Sequence, residues 1–209
     1  MVNLVILLGP PGSGKGAQGQ RIASSLGFTR IVMGDLVRRS SLDVSGGKYL
    51  SDELVSKILL DEIKNNEGVK DFVLDGYPRT LEQCNFLEEN LKDKNTLVFC
   101  FQINYDLLAK RILGRFVCKS CNAVYNRWFL PTKEPNACDN CLSNDFITRS
   151  DDSLETLKIR LNEFDISNAK VLNFYFTKSL NIKYIDASKS FDDVYAQISS
   201  ECKNFFVQR

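Results

Sequence analysis

Histidine is absent from the 209 residues. Without an imidazole, the chain cannot build a Ser-His-Asp hydrolase, a papain-like Cys-His enzyme or an HExxH metalloprotease. Long apolar runs are missing as well. None approaches the ~18 to 20 residues of a membrane-spanning helix, and the opening MVNLVILLGP lacks the basic start and small-residue cleavage site of a secretion signal. A cytoplasmic, reducing location and no membrane partner are expected. Nor is there an excess of one charge. Lys and Arg number 27 against 26 Asp and Glu, a formal net charge of +1, which gives the whole molecule no reason to attract nucleic acid.

What is present is an ordinary globular composition, 44% hydrophobic and 25% charged, enough for one core with one or two excursions. Short β-rich apolar runs alternate with amphipathic segments. Residues 2–8, 72–74, 97–103 and 182–185 read as buried parallel strands, so an α/β sandwich is expected. Thr80-Leu-Glu-Gln83 forms a capping box, and Ser51 followed by Asp52 and Glu53 places a cap and two carboxylates at another helix start. The spacing of Leu157, Leu161, Phe164, Val171, Leu172 and Tyr175 predicts one long helix from Leu154 to about Phe176. A last helix carries Phe191, Val194, Ile198, Cys202 and Phe205 on one stripe. Two stretches break the rhythm, Arg38–Tyr49 and Cys118–Arg149, and these are the expected excursions.

The run GPPGSGKGAQG (Gly9 to Gly19) follows the first strand. Gly9-x4-Gly14-Lys15 between a strand and a helix directs backbone N–H groups, a positive helix end and the Lys15 charge at one anion. A plain glycine-rich turn is the bland alternative. Gly14-x-Gly16-x-x-Gly19 also matches a dinucleotide fingerprint with Asp35 beyond it, but its first glycine comes six residues after the strand ends, too late for the tight turn. A phosphate loop is also the reading that suits a chain without histidine. In phosphoryl transfer between phosphates the acceptor oxygen is already largely ionised near neutral pH and needs no general base.

Cys118-x-x-Cys121 and Cys138-x-x-Cys141, sixteen residues apart, are two knuckles suited to a tetrahedral thiolate site. In a reducing compartment zinc is favoured over disulfides, and with four thiolates and no open position it would be structural. Four unconnected thiols is the alternative. A zinc-bearing nucleic-acid module is another, weakened because the five bases between Arg115 and Arg149 outnumber the acids by only two. Cys84, Cys100 and Cys202 fall on helix or strand patterns and read as small core residues.

Phosphoryl transfer depends on positioning and charge neutralisation, so fixed guanidiniums should converge on the phosphates. Arg38, Arg79, Arg111, Arg115, Arg149 and Arg160 stand at element ends. With these, the chain resembles the adenylate kinases over nearly its whole length, in the bacterial-type form with a long zinc-bearing lid. GPPGSGKG, GDLVR, LDGYPRT-x-x-Q, RILGR, the two CxxC pairs, VY and TRSDD with IRL occur in the family's order.

The resemblance implies the phosphate-loop nucleoside monophosphate kinase fold, with a core of 1–32, 52–114 and 151–209, a monophosphate-binding excursion at 33–51 and a lid at 115–150. It implies reversible conversion of ATP and AMP into two ADP by a monomer, with magnesium accompanying the nucleotide. By matching position, Gly12, Ser13, Gly14, Lys15, Gly16 and Ala17 bind ATP phosphates, with Arg111, Arg115, Val124, Tyr125 and Lys189 around the same nucleotide. Met33, Arg38, Lys48, Tyr49, Leu50, Gly76, Tyr77, Pro78, Arg79 and Gln83 surround AMP. Lys15, Arg79, Arg115, Arg149 and Arg160 act on the transferred group, the last two also reaching AMP. Asp75 orients the waters of magnesium, and the four lid cysteines hold zinc.

The chain departs from the family's pattern at Ala17 and Met33, where hydroxyl residues are usual, and at Asn126, where histidine is common. The segment between Asp35 and Asp52 is about ten residues short, which predicts the loss of a small helix over the acceptor. Another monophosphate acceptor, or GTP as donor, is the competing enzyme reading.

Overall fold

The computed structural model describes residues 2–40, 50–66 and 68–206. Five parallel strands form the central sheet in the order β2-β3-β1-β4-β8. They are β1 (Val2–Leu8), β2 (Thr29–Val32), β3 (Asp71–Asp75), β4 (Lys94–Gln102) and β8 (Asn181–Asp186). Each expected strand is present, β1 with the expected ends and the other three with shifted ones, and β2 is an additional strand of this sheet that the sequence pattern did not show.

Alternate residues of each strand enter opposite faces, so both faces must be covered. Leu4, Ile6 and Leu8 of β1 join Val98, Leu59, Leu87, Val171 and Tyr175 on one side. Val5, Leu7, Phe99 and Phe101 meet Ile22, Val194, Ile198 and Cys202 on the other. The first layer is supplied by α3 (Asp52–Asn65), α4 (Leu81–Asn90) and α6 (Leu154–Thr177); the second by α1 (Lys15–Leu26) and α7 (Phe191–Phe206). The long helix and the last helix therefore run where their apolar spacing predicts. Cys84, Cys100 and Cys202 are buried in this core, where burial pushes their thiols up to about 12, 11 and 12.

The remaining elements are α2 (Met33–Arg39), α5 (Tyr105–Leu113) and a small antiparallel sheet. In that sheet β5 (Arg115–Cys118) pairs with both β6 (Val124–Asn126) and β7 (Phe146–Ile147). The predicted shortening of the first excursion falls largely on 41–49, outside the described residues.

Two capping expectations need correction. Ser51 precedes α3 but its side chain makes no cap hydrogen bond. At α4, Thr80 Oγ1 accepts from Gln83 N at 3.2 Å, whereas Gln83 Oε1 returns to Arg79 N at 2.7 Å rather than to Thr80. The box closes one residue early because the Gln83 amide is also held by Asp52, as shown below.

The connections run from β1 to β2 and β3 on one side, then to β4 and β8 on the other. The turn after β1 thus sits at the switch point of the sheet, where the carboxyl ends of the strands leave a crevice.

Candidate active site

The chain leaving β1 reaches α1 through Gly14, whose φ of 94° is a left-handed conformation that a side chain would strain. No side chain caps α1 and no acid occupies its first turn. Its first amides and the positive helix end are thereby left to an anion. Lys15 Nζ curls over the loop and donates to Gly9 O at 2.6 Å, Pro10 O at 2.8 Å and Ser13 Oγ at 3.3 Å. Burial pushes this ammonium down to about 7. Asp75 works in the opposite direction, while Arg79, Arg160 and Arg115 push it further down.

Those arginines share one cleft with the loop. Lys15, Arg79, Arg111, Arg115, Arg149 and Arg160 all border it, as does Arg38. The cleft is open to solvent, and the space within it is about 1260 Å³ when its open mouth is included. Internal carboxylates hold the guanidiniums in place. Arg115 Nε donates to Asp152 Oδ2 at 2.8 Å, and Arg160 donates to Asp151 Oδ2 at 2.8 Å. Asp35 pairs closely with Arg38 and lies 3.6 Å from Arg149. Arg79 Nε donates to Gly76 O at 2.8 Å.

The electrostatics record how closely these groups gather. Burial resists the charge of Asp151, yet Arg160, Arg115, Arg38 and Arg149 together hold its carboxyl below the usual range. Arg149 is pushed down to about 10, by burial first and then by Arg115 and Arg38. Such a concentration of like charge is costly unless anions of comparable charge occupy the cleft.

The cleft is also bordered by Gly12, Ser13, Gly14, Gly16 and Ala17, by Asp75 and Gly76, and by Val124, Tyr125 and Lys189. Arg111 Nη1 donates to Ser13 O at 3.2 Å, and its guanidinium carbon lies 5.5 Å from the Phe129 ring centre, a flat cationic surface opposite an aromatic one.

Several sequence-assigned positions lie elsewhere. Met33 is 3% exposed and packs in the first core cluster, and Leu50 packs against that cluster. Tyr77 is buried, its hydroxyl 3.1 Å from Ser56 Oγ, and Pro78 borders a smaller neighbouring hollow instead. Gln83 is buried with both ends of its amide engaged, Nε2 donating to Asp52 Oδ1 at 2.6 Å. Lys48 and Tyr49 fall outside the described residues.

Sequence reasoning missed Arg30 and Phe129, and it marked Asn126 only as a departure from the family's pattern, with no role. Asn126, in place of the common histidine, is structural: Nδ2 donates to Arg111 O at 2.7 Å, and Oδ1 accepts from Trp128 N and Phe129 N. Only pairing across strands could have revealed Arg30, which donates to Asp75 Oδ2 at 2.6 Å.

At the tip of the small sheet the Sγ atoms of Cys118, Cys121, Cys138 and Cys141 lie within 4.8 Å of one another. Cys118 and Cys141 are 3.6 Å apart, Cys121 and Cys138 3.5 Å, too far for disulfides and near the ~3.8 Å edge of a tetrahedron with ~2.3 Å zinc–sulfur bonds. Burial opposes thiolate formation at Cys138, but a hydrogen bond from the Tyr125 hydroxyl at 3.3 Å and two backbone N–H groups outweigh it, lowering it to about 6. Tyr125 in turn accepts from Asp139 N at 2.8 Å and stacks on Phe116, 5.5 Å between ring centres. Its side chain therefore serves the cysteine cluster even though the residue borders the cleft. A thiolate-preferring ion fits this donor set.

Among the described residues no helix is long and apolar enough to cross a membrane. A family model described as "Adenylate kinase" matches residues 7–180. Curated relatives named adenylate kinase include those of Rickettsia africae, 36% identical, Rickettsia bellii, 35%, and Rickettsia typhi, 34%. Each alignment covers 96% of this chain and 99% of the relative. With its glycine loop and arginine-lined cleft, this chain belongs to the adenylate kinase family.

Proposed function

We propose that the cleft transfers the terminal phosphoryl of ATP reversibly to AMP, giving two ADP. The observation that carries the reading is the convergence of Lys15 and six arginines, Arg38, Arg79, Arg111, Arg115, Arg149 and Arg160, on one cleft at the switch point of the sheet. Polyphosphate is the anion that matches so much fixed positive charge.

The loop amides and Lys15 hold the donor's phosphates. Arg111 and Phe129 offer flat surfaces to its base. Arg79 and Arg38 grip the acceptor phosphate, while Arg115, Arg149 and Arg160 stabilise charge on the group in flight and bring the reacting oxygens into line. No residue is needed to remove a proton, so the reaction is compatible with a chain that has no histidine.

Magnesium, bound with the nucleotide, supplies further charge neutralisation. Asp75, at the carboxyl end of β3, stands 3.6 Å from the place a Cβ would occupy on Gly16. It is the carboxylate suited to orient the ion's waters, as expected of a hard cation that keeps most of its hydration. Zinc on the four cysteines would tie the small sheet into a rigid lid over residues 115–150, moving about Gly114 and Ser150 to exclude water. Thiols that must stay unoxidised suit a reducing, cytoplasmic setting. Every group invoked comes from one chain, so a monomer suffices.

Acceptor identity rests on Gln83, which must release Asp52 or Arg79 N to read a base edge. The test is ADP formation in a coupled assay across ATP and GTP as donors and AMP, GMP, CMP and UMP as acceptors. ATP with AMP is expected to be fastest. Faster turnover with another pair would reassign the substrate, and no turnover with any pair would overturn the reading.

A further inference from the structure

Arg30 belongs to none of the motifs that identify the family, yet it reaches the carboxylate beside the phosphate loop. It leaves β2, crosses α1 and donates from Nη2 to Asp75 Oδ2 at 2.6 Å, the two side chains being only 14% and 10% exposed. Nη1 donates to Gln20 Oε1 at 3.2 Å, whereas Nε is buried without a hydrogen-bond partner. The crossing is possible because α1 carries glycine where Arg30 passes. A Cβ on Gly16 would lie 3.3 Å from Arg30 Nη2, and one on Gly19 would lie 3.2 Å from Arg30 Nε and 2.7 Å from Leu7 Cδ1. The Gly16 and Gly19 of the leftover dinucleotide-like pattern therefore make a passage for a guanidinium.

This cation changes what Asp75 offers. One carboxylate oxygen is occupied and its charge is balanced, so a hydrated divalent ion is attracted less strongly. The same guanidinium adds a positive charge to the border of the cleft, on the side of the phosphate loop. Both effects favour nucleotide phosphate without metal relative to nucleotide phosphate with it.

Building on the reading of the cleft as an ATP site, we propose that Arg30 is a positioning residue. By holding Asp75 and adding charge behind the loop, it reduces the dependence of ATP binding on magnesium. A purely architectural pair joining β2 to α1 and β3 would support the fold and leave this preference alone.

The experiment is calorimetric binding of ATP to the whole chain, once with excess magnesium chloride and once with EDTA, for the native protein, Arg30→Gln, Arg30→Met and Arg30→Lys. The readout is the ratio of the metal-free Kd to the Kd with magnesium. Neutral substitution is expected to raise that ratio at least fivefold, chiefly by weakening metal-free binding, and lysine is expected to keep it within twofold of native. Methionine preserves the packing of the stem beside Gly19 should glutamine prevent folding. A ratio within twofold of native in a folded neutral variant overturns the proposal, even if the melting temperature falls. Failure of the native protein to make ADP from ATP and AMP would instead overturn the functional reading, which this binding ratio does not test.

Discussion

Gly114, at the end of α5, lies directly against the indole of Trp128: a Cβ there would come within 2.6 Å of Cε3 and 2.9 Å of Asn126 Oδ1. Its φ of −89° and ψ of −3° suit any residue, so the constraint is space rather than backbone. Trp128 is 61% exposed and can yield, which places the crowding where α5 meets the small sheet. Gly114→Ala should displace the indole and bias the lid away from the cleft. Overpacking of this kind costs ~1 to 3 kcal/mol, and the part of it that is relieved only when the small sheet moves off the cleft opposes ATP binding, at about tenfold in Kd per ~1.4 kcal/mol. Fluorescence of the single tryptophan during an ATP titration measures both effects, and an unaltered spectrum and Kd would refute the contact's role.

Ala17 borders the phosphate loop without a hydroxyl. Ala17→Thr adds a donor within the first turn of α1, and a hydrogen bond to a charged partner contributes ~1.5 to 3 kcal/mol. The Kd for ATP should fall about tenfold or more. Unchanged KM and kcat would show that the position does not meet a phosphate.

The lowered value of Lys15 has a definite sign. With about 7 in the folded protein and 10.5 as its ordinary value, the unfolded chain binds more protons between these limits. This group therefore makes the protein alone more stable as pH rises from about 7 towards 10.5. Phosphate binding favours the ammonium, so ATP binding at pH 8 should take up close to one proton and weaken as pH rises above 7. Titration calorimetry in buffers of different ionisation enthalpy measures the uptake. Proton release, or uptake that persists in Lys15→Met, would contradict the assignment.

Cys138 meets Cys121 at 3.5 Å and receives the Tyr125 hydroxyl. Cys138→Ser should abolish binding of one zinc per chain and lower the melting temperature by at least ~5 °C, given ~2 to 4 °C per kcal/mol at this chain length. Metal analysis with thermal denaturation tests this, and a variant that keeps both zinc and melting temperature would refute the thiolate site.

Features that depend on local spacing were readable in the sequence. The loop after β1, the two cysteine knuckles and the apolar stripes of α6 and α7 each lie within a few turns of chain, and the structure forms them there. Features that depend on distant neighbours were not. The strand Thr29–Val32 carries Arg30 in its middle and breaks the apolar run expected of a buried parallel strand, but that arginine is accommodated because β2 is an edge strand beside Asp75. The strands β5 to β7 have only two to four residues, too few to show a period. Met33 was placed beside the acceptor by position alone, and its burial in the first core cluster depends on contacts with distant elements that spacing does not show. The capping box showed Gln83 engaged with its own helix start, whereas its bond to Asp52, 31 residues away, depends on the packing of α3 against α4.

The central claim is that the guanidiniums around Lys15 stabilise a phosphoryl group in transfer. Arg160 borders the cleft, is anchored on Asp151 at 2.8 Å and helps to depress Lys15, so it tests that claim most directly. The measurement is kcat for ADP formation from ATP and AMP with magnesium, native against Arg160→Met, with melting temperatures alongside. Loss of one fixed charge-stabilising group should lower kcat by ~10²-fold or more while the protein stays folded. A folded variant that turns over at the native rate would contradict it.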